Sequence, residues 1–373
     1  MNLSFWERTT WLSNIDFAIV GSGIVGLSCA LELRERYPKG KIVVLEKGIL
    51  PNGASTKNAG FACFGSVSEI LDDLRTHSEE EVVALIEQRW EGLSNLRKLL
   101  GDESIDLQTH GGYELFTTTD PDLYETCLSK VDYINSLVKD SFSGENDVFL
   151  IKNDAFSFEN VEKKVIFNQL EAQLHTGKMM EAFLRKCAKK GIIILNSVQL
   201  SSFSTQNGQV LLHFNDSEEI RCHQLIIATN GFAKELLDLD VQPARAQVLI
   251  TQPIPNLHIK GTFHLDKGYY YFRNIENRIL LGGGRNLDFE GEQTSEPGLT
   301  DLIQNRLETL LRTTILPNTA FEIDTRWSGI MGVGSQKKPI VKELMPNVIC
   351  GVRMGGMGVA IGSSIGKQLA EMV

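Results

Sequence analysis

The sequence lacks the patterns that mark several large protein classes. Its formal net charge is −10 at pH 7, so it has no basic excess with which to cover a nucleic acid. Its six cysteines are scattered, with no C-x-x-C pair and no cysteine–histidine cluster, which predicts neither a disulfide framework nor a metal site. No apolar run is long enough to span a bilayer, and the N-terminus lacks the order of a signal peptide. We therefore expect a cytoplasmic protein without nucleic-acid partner, membrane span or bound metal.

A glycine fingerprint stands near the N-terminus. Residues 16–20 are predicted to form a short apolar strand, and they are followed by Gly21-Ser-Gly23-Ile-Val-Gly26. A helical pattern to residue 36 and a second apolar strand over 41–45 come next, and that strand ends at Glu46. A strand–glycine turn–helix–strand unit closed by an acidic residue is typical of dinucleotide binding. The first glycine permits the tight turn, the second lets the backbone approach a pyrophosphate, and the third lets helix and strand pack closely. Glu46 can accept hydrogen bonds from the hydroxyls of a ribose.

The fingerprint alone does not choose between FAD and NAD. Four later features bear on that choice: a small polar loop over 53–60, the turn Ala228-Thr-Asn-Gly231, the segment Trp327-Ser-Gly329, and the glycine-dense start of a final helix at 353–358. In this order along nearly the whole chain, these features resemble the flavoenzyme family of D-amino-acid oxidase, glycine oxidase and sarcosine oxidase. Ser4-Phe-Trp-Glu7 is similar to the gamma-glutamylputrescine oxidase branch.

The resemblance implies FAD, with the 54–60 loop against the diphosphate and flavin ring and the final helix aimed at the pyrimidine edge of the flavin. The cysteine that tethers flavin in monomeric sarcosine oxidase would fall within 332–335, where there is none, so we expect non-covalent FAD. The predicted cofactor-binding residues are Gly21, Ser22, Gly23, Ile24, Val25, Gly26, Glu46, Lys47, Ala54, Ser55, Asn58, Ala59, Gly60, Val198, Ala228, Thr229, Asn230, Gly231, Gly355, Gly356, Met357, Gly358 and Val359.

The resemblance also implies oxidation of a C–N bond, with hydride transfer from substrate to flavin N5, O2 or another acceptor taking the electrons, and a small amine or amino acid as substrate. The sequence departs from the family where amino-acid oxidases place a carboxylate-binding arginine, because Met331 stands there. Arg273, Arg285, Arg326 and Arg353 are candidate replacements, or the substrate has no carboxylate. No catalytic residue is assigned. The predicted substrate-binding residues are Phe61, Tyr270, Arg285, Arg326 and Met331.

Three other functions stay open at this point. The same scaffold serves FAD-dependent dehydrogenases of 2-hydroxy acids or polyols, and the Met331 departure is compatible with them. A flavin-binding protein without turnover is the second alternative. An NAD-only dehydrogenase is the third, and it leaves the 54–60 loop and the C-terminal glycines without a role. Leu280 and Leu281 occupy the strand where monomeric sarcosine oxidase places an oxygen-activating lysine, so oxidase and dehydrogenase are both possible.

The predicted fold is α/β, with a doubly wound, Rossmann-like FAD domain and an inserted α+β substrate domain built on an antiparallel sheet. Strand–helix–strand pieces predict that the FAD domain comprises residues 1–65, 155–235 and 325–373. Antiparallel patterns assign 66–154 and 236–324 to the substrate domain.

Overall fold

The strand–helix–strand unit predicted from the glycine fingerprint is present over residues 15–46. In the computed structural model, residues 3–142, 147–214 and 219–373 are described. The α-helices of these residues are α1 Phe5–Thr10, α2 Ile24–Arg36, α3 Val67–Asp73, α4 Glu79–Leu100, α5 Pro121–Val138, α6 Thr176–Lys189, α7 Asp301–Leu310 and α8 Gly358–Glu371. The strands are β1 Ile15–Val20, β2 Ile42–Glu46, β3 Phe61–Ala62, β4 Gly112–Glu114, β5 Phe149–Asn153, β6 Lys164–Asn168, β7 Ala172–Gln173, β8 Ile193–Asn196, β9 Leu200–Gln206, β10 Gln209–Phe214, β11 Glu219–Ile227, β12 Gln242–Thr251, β13 Thr262–Leu265, β14 Tyr270–Ile275, β15 Arg278–Gly283, β16 Ile323–Val333, β17 Ile340–Met345 and β18 Val348–Val352.

The helix ends follow local sequence signals. Helix α4 begins with a capping box, in which the side chain of Ser78 accepts from the backbone of Glu81 and the Glu81 carboxylate accepts from the backbone of Ser78. It ends at Gly101, whose φ of 84° suits a residue without a Cβ. The imidazole of His175 caps α6 by accepting from the Lys178 backbone N–H.

The first sheet has the order β17-β18-β11-β1-β2-β8, and its central neighbours are parallel. Strand β17 is antiparallel to β18, and the hairpin of β9 and β10 extends from the first part of β11. On one face, α2, α6 and α8 bury a core that includes Leu27, Phe183 and Leu369. On the other face the β9–β10 hairpin buries a second core around Leu212 and Ile227. The doubly wound dinucleotide-binding fold is confirmed.

The second sheet has the order β16-β12-β15-β14-β13-β4-β6-β5. Its pairs are antiparallel apart from β13 with β4, which run parallel. Helix α7 covers one face, where Ile303 and Leu307 share a core with Leu249, Phe272 and Leu281. The opposite face of the central strands is turned toward the first sheet, which leaves a cavity between the two sheets.

The sheets divide the chain differently from the predicted boundaries at two places. Residues 164–168 and 323–333 belong to the second sheet, although the sequence assigned 155–235 and 325–373 to the FAD domain. The reason is that β6 pairs with β4 and β16 pairs with β12 over ten residue positions, and such pairings between distant segments leave no local signal. Beyond these two strands, the division into domains stays a prediction.

Candidate active site

A cavity of about 570 Å³ lies between the two sheets, at the carboxyl ends of β1 and β11. This is the edge at which parallel α/β sheets bind ligands. The loop after β2, the turn after β11 and the start of α8 line it from the first sheet. Strands β12, β13 and β16 and the ends of β14 and β15 line it from the second. Distant segments thus meet around one space whose volume is ordinary for a bound small molecule.

The glycine turn at the end of β1 requires its glycines for two different reasons. Gly21 has φ of +105°, and a Cβ there would lie 2.7 Å from the carbonyl oxygen of Ala228. A Cβ on Gly26 would lie 2.0 Å from the carbonyl oxygen of Gly21, so α2 could not approach β1. Gly21 lines the cavity and Gly26 does not, because Gly26 faces the strand. We therefore assign Gly26 a packing role beneath the cradle.

The carboxylate of Glu46 lines the cavity at the end of β2 and is held in place by its neighbours. One oxygen accepts from the backbone N–H of Ser22 at 3.1 Å and from its hydroxyl at 2.7 Å, and the other accepts from the Gly48 N–H at 2.9 Å. Ser22 is fully buried and does not line the cavity, so it acts by orienting Glu46. A fixed carboxylate at this edge suits the ribose diol of a dinucleotide.

The loop over 53–60 is tied to both sheets. The Ser55 hydroxyl accepts from the Ile24 N–H at 3.0 Å, at the first turn of α2, where helix N–H groups lack partners within the helix. The side chain of Asn58 accepts from the Gly60 N–H and from the Thr176 hydroxyl, both at 2.9 Å. Arg273 donates to the backbone carbonyl oxygens of Ala59 and of Leu174. This loop is therefore preorganised beside the helix N-terminus, which attracts phosphate.

One further observation in the cradle tests whether its residues fit FAD. Thr229, at the end of β11, lines the cavity, and its buried hydroxyl has no hydrogen-bond partner in the part of the chain that the structure describes. Buried polar atoms are normally hydrogen-bonded, so an orphan at a cavity wall marks a place where a ligand contributes the partner. The glycine turn leaves room for a diphosphate, the Glu46 carboxylate suits a ribose, and the Thr229 hydroxyl can bind a further polar group of the ligand. Together these residues fit a dinucleotide such as FAD.

The start of α8 closes the cradle from the C-terminal side. Gly355 and Gly356 are left-handed, with φ of 57° and 84°, and both line the cavity with residues 357–359. The side-chain oxygen of Asn230 accepts from the Met354 N–H at 3.0 Å and so joins the turn after β11 to this segment. The positive end of α8 thus points into the cavity, where it can stabilise the negative charge of a reduced flavin.

The parallel sheet with its glycine cradle, roofed by a second sheet, defines the class of two-sheet FAD-binding oxidoreductases. The chain belongs to the DAO family of FAD dependent oxidoreductases, whose family model matches residues 16–372. The resemblance drawn from the sequence, the FAD cofactor and the enzyme class are confirmed. Among the described residues, no helix is both long and apolar enough to cross a membrane.

Known proteins similar to this chain agree with that assignment. The probable oxidoreductase OrdL of Haemophilus influenzae is 21% identical over 98% of this chain and 84% of its own length. Glycine oxidase of Geobacillus kaustophilus is 25% identical over 77% of this chain and 71% of its own length. Glycine oxidase from Bacillus cereus shares the fold, with a TM-score of 0.76 at 16% identity over 96% of this chain and 94% of its own.

The structure places most of the predicted cofactor residues around the cavity. Only Ser22, Gly26 and Gly231 of that set do not line it. Gly231 is a packing residue, because a Cβ there would lie 2.3 Å from the carbonyl oxygen of Met331 on β16. The direct contacts of the remaining residues with FAD, and its non-covalent attachment, stay predictions.

Two of the five predicted substrate residues do not line the cavity. Phe61, Arg285 and Met331 line it, whereas Tyr270 and Arg326 do not. Tyr270 packs with Phe272 on the α7 side of the sheet, because successive strand residues face opposite sides. Tyr269 and Tyr271 have the opposite parity and line the cavity. Arg326 also faces α7, where it donates to Gln304 and forms an ion pair with Glu308.

The other two candidate arginines are committed to the protein itself. Arg273 is buried beneath the 53–60 loop, and burial lowers its pKa to about 10. Arg353 pairs with Asp240 at 2.6 Å and donates to the carbonyl oxygen of Lys338. Neither guanidinium lines the cavity.

A buried ion pair that the sequence did not reveal stands at the cavity wall. The Nε2 of His264 lies 2.6 Å from a carboxylate oxygen of Glu171, which also accepts from the Thr262 hydroxyl at 2.8 Å. Burial by itself lowers the pKa of His264. The charge and hydrogen bond of Glu171, with the charges of Glu69 and Glu114, outweigh burial and raise the pKa to about 9. His264 is therefore an imidazolium at neutral pH. The only local sequence signal was a polar residue inside an apolar strand.

Cys63 completes a group of three ligand-type side chains with that pair. The thiol, carboxylate and imidazole atoms lie within 4.8 Å of one another. Burial, followed by the charges of Glu171 and Glu69, raises the pKa of the Cys63 thiol. Two atoms bound to one tetrahedral Zn²⁺ would be about 3.3 Å apart, given bonds of about 2.0 Å. The 2.6 Å contact of His264 with Glu171 is shorter and is that of a hydrogen-bonded ion pair.

Proposed function

We propose that this FAD-dependent oxidoreductase oxidises a C–N bond of a small amine or amino acid. The observation that carries the proposal is the continuity of the cavity, which extends from the cradle of Glu46 and Thr229 to the aromatic wall of Phe61 and Tyr271. The similarity to glycine oxidase over 77% of the chain supports the choice of substrate class. FAD held by the glycine turn, Glu46 and Thr229 would supply a hydride acceptor for this oxidation, and the imine formed from the substrate would then hydrolyse.

The residues of the chain contribute by binding and positioning. The ring of Phe61 meets Tyr271 edge-on, with centroids 5.6 Å apart, and meets His264 edge-on at 5.2 Å. Burial raises the pKa of Tyr271 to about 12, so its phenol stays neutral. These rings exclude water from one end of the cavity and leave an apolar surface for the carbon atoms of the substrate. Alignment of the reacting C–H bond, rather than a strong base, is what such a wall supplies.

His264 and Glu171 support this wall as a hydrogen-bonded ion pair. The imidazolium lies 2.6 Å from the Glu171 carboxylate, so the two charges largely cancel and the imidazole ring is held in place where Phe61 meets it edge-on. We therefore assign His264 and Glu171 as positioning residues that hold the aromatic wall in place.

Anaerobic titration of the purified yellow protein tests the proposal. Small amines and amino acids are added in turn, and flavin absorbance is followed against 2-hydroxy acids, polyols and dithionite. Bleaching by an amine or amino acid, but not by the hydroxy acid of matched skeleton, is the expected result. Bleaching by hydroxy acids alone would replace the proposed reaction with alcohol oxidation. A flavin that only dithionite reduces would indicate binding without turnover.

A matched pair of variants links the reaction to the cavity. Phe61→Ala removes part of the aromatic wall, whereas Phe321→Ala removes a ring that does not line the cavity. We expect Phe61→Ala to slow anaerobic bleaching by about tenfold or more while retaining FAD, because a misplaced substrate loses alignment. Equal rates for the two variants would remove Phe61 from the site.

A further inference from the structure

Arg285 occupies a distinctive position at the cavity wall. It follows β15 directly after Gly283 and Gly284, and Gly284 has φ of +80°. This left-handed turn leads the chain out of the sheet and into the short 3-10 helix Arg285–Leu287. Arg285 lines the cavity on the same wall as Tyr269 and His264. Met331 lines the cavity from a different strand, β16.

The guanidinium of Arg285 has no anionic partner among the residues that the structure describes. Across the described ranges 3–142, 147–214 and 219–373, it forms neither a hydrogen bond nor an ion pair, and its one ring contact is with Phe289 at 4.7 Å. The nearby carboxylate of Glu292 is fully buried and is already bound by Arg245 at 2.7 Å. Burial lowers the pKa of Arg285, against the opposing charges of Tyr269 and Glu292. The protein thus partly buries this cation and, among the described residues, offsets the burial with the ring of Phe289 and the charge of Glu292 but with no direct carboxylate partner.

The other cations at the cavity are accounted for differently. Lys47 lies 3.8 Å from Glu235 and over the ring of Phe232. Lys267 is 3.7 Å from Asp72, and Lys337 pairs with Asp73. Lys57 has no ion pair among the described residues. Its side chain packs on Gly329 and borders both the cavity and an adjoining groove, so it stands at an edge.

We propose that Arg285 binds the carboxylate of the substrate, and that the substrate is therefore an amino acid rather than a simple amine. The inference rests on the proposed C–N oxidation. A planar guanidinium can hold a carboxylate through two parallel hydrogen bonds, which matches an unpaired arginine at a cavity wall. The carboxylate is bound by a residue that follows β15, whereas the arginine of amino-acid oxidases would stand at the position of Met331 on β16. Phe61 and Tyr271 then face the remainder of the substrate.

Matched substrate pairs that differ only in the carboxylate test this assignment. Glycine with methylamine, sarcosine with dimethylamine, and proline with pyrrolidine are compared by kcat/KM. The proteins are the wild-type holoenzyme and the Arg285→Leu, Arg285→Lys and Lys57→Leu variants. Arg312→Gln is the control, because the Arg312 side chain is 62% exposed and does not line the cavity. Flavin content is measured for every protein.

We expect wild type to prefer the amino acid of at least one pair. Arg285→Leu should lower kcat/KM for that amino acid about 100-fold and for its amine less than threefold, as expected for loss of a charge-assisted bidentate contact. Arg285→Lys should retain an intermediate preference, and Arg312→Gln should match wild type. If Arg285→Leu fails to retain FAD, Arg285→Lys carries the comparison.

Several outcomes would overturn the assignment while leaving C–N oxidation intact. The first is a wild type that prefers amines. The second is an Arg285→Leu variant in which both members of a pair lose activity equally. The third is loss of the amino-acid preference in Lys57→Leu rather than in Arg285→Leu. Failure of every amine and amino acid to reduce the flavin would refute the proposed function itself, and the role of Arg285 with it.

Discussion

The buried His264–Glu171 pair makes the stability of the enzyme depend on pH in a specific direction. The folded protein holds the pKa of His264 at about 9, above the ordinary 6.5, so folding takes up a proton between these values. The stabilisation is complete below about pH 6.5 and is lost as the pH rises through about 9. At roughly 1.4 kcal/mol per pKa unit, the protonated pair contributes about 3 kcal/mol.

This contribution can be expressed as a shift in melting temperature. At about 2.1 cal/mol/K for each residue, unfolding as one unit has an entropy near 0.8 kcal/mol/K, so 3 kcal/mol corresponds to about 4 °C. The assay is thermal unfolding of the holoprotein followed by flavin fluorescence at several pH values, with constant excess FAD. Because other groups also titrate, the quantity of interest is the difference between wild type and His264→Gln. We expect this difference to fall by about 3 °C between pH 6.5 and 9, because about half of His264 is still protonated at the upper value.

Glu171→Gln separates the charge of the pair from its shape. Burial of His264 remains in this variant while its main opposing charge is removed, so its pKa should fall below 6.5. The variant should then lose stability on acidification, and the alkaline loss seen in wild type should disappear. His258→Gln, which alters an exposed histidine, serves as the control with the wild-type profile. Parallel profiles for wild type, Glu171→Gln and His264→Gln would refute the assignment of His264 as an imidazolium.

Two further predictions concern packing beneath the cradle and in the second sheet. Gly26→Ala forces a Cβ to within 2.0 Å of the Gly21 carbonyl oxygen and should cost about 3 kcal/mol with loss of bound FAD, whereas Gly53→Ala meets nothing within 4 Å and should change neither. Flavin-to-protein ratio and melting temperature check both, and equal values would contradict the packing role. Glu292→Ala leaves Arg245 without its buried partner and should destabilise the protein by about 3 kcal/mol in denaturant unfolding. A loss below about 1 kcal/mol would show that the pair contributes little.

The dinucleotide cradle could be predicted from the sequence because its determinants are local. Gly21 and Gly23 lie on the turn between β1 and α2, Gly26 lies in the first turn of α2, and Glu46 ends β2. Each glycine meets a backbone or side-chain atom that a Cβ would crowd. Such positions tolerate few residue types, so the spacing alone carries the information.

The substrate side depended on features that local sequence does not contain. The run from Tyr269 to Tyr271 predicts a strand. Only the pairing of that strand with its neighbours decides that Tyr271 faces the cavity and Tyr270 faces α7. Moving a strand by one residue exchanges the side chains on its two faces. A prediction of which strand residues face the cavity is therefore either right for all of them or wrong for all of them. The four candidate arginines were equivalent in sequence for the same reason.

Local sequence patterns were enough to predict the doubly wound sheet, and their order along the chain, which resembles a known flavoenzyme family, was enough to predict FAD and the class of enzyme. Tertiary structure alone decided which charges are compensated. Cys63, Glu171 and His264 come together from three separate segments. Among the described residues, Arg326 pairs with Glu308 on the α7 side of the sheet, whereas Arg285 lines the cavity without a carboxylate partner. The physical reason is that a helix turn or a glycine bend is specified by neighbours along the chain. The ionic state of a buried side chain is specified by neighbours in space.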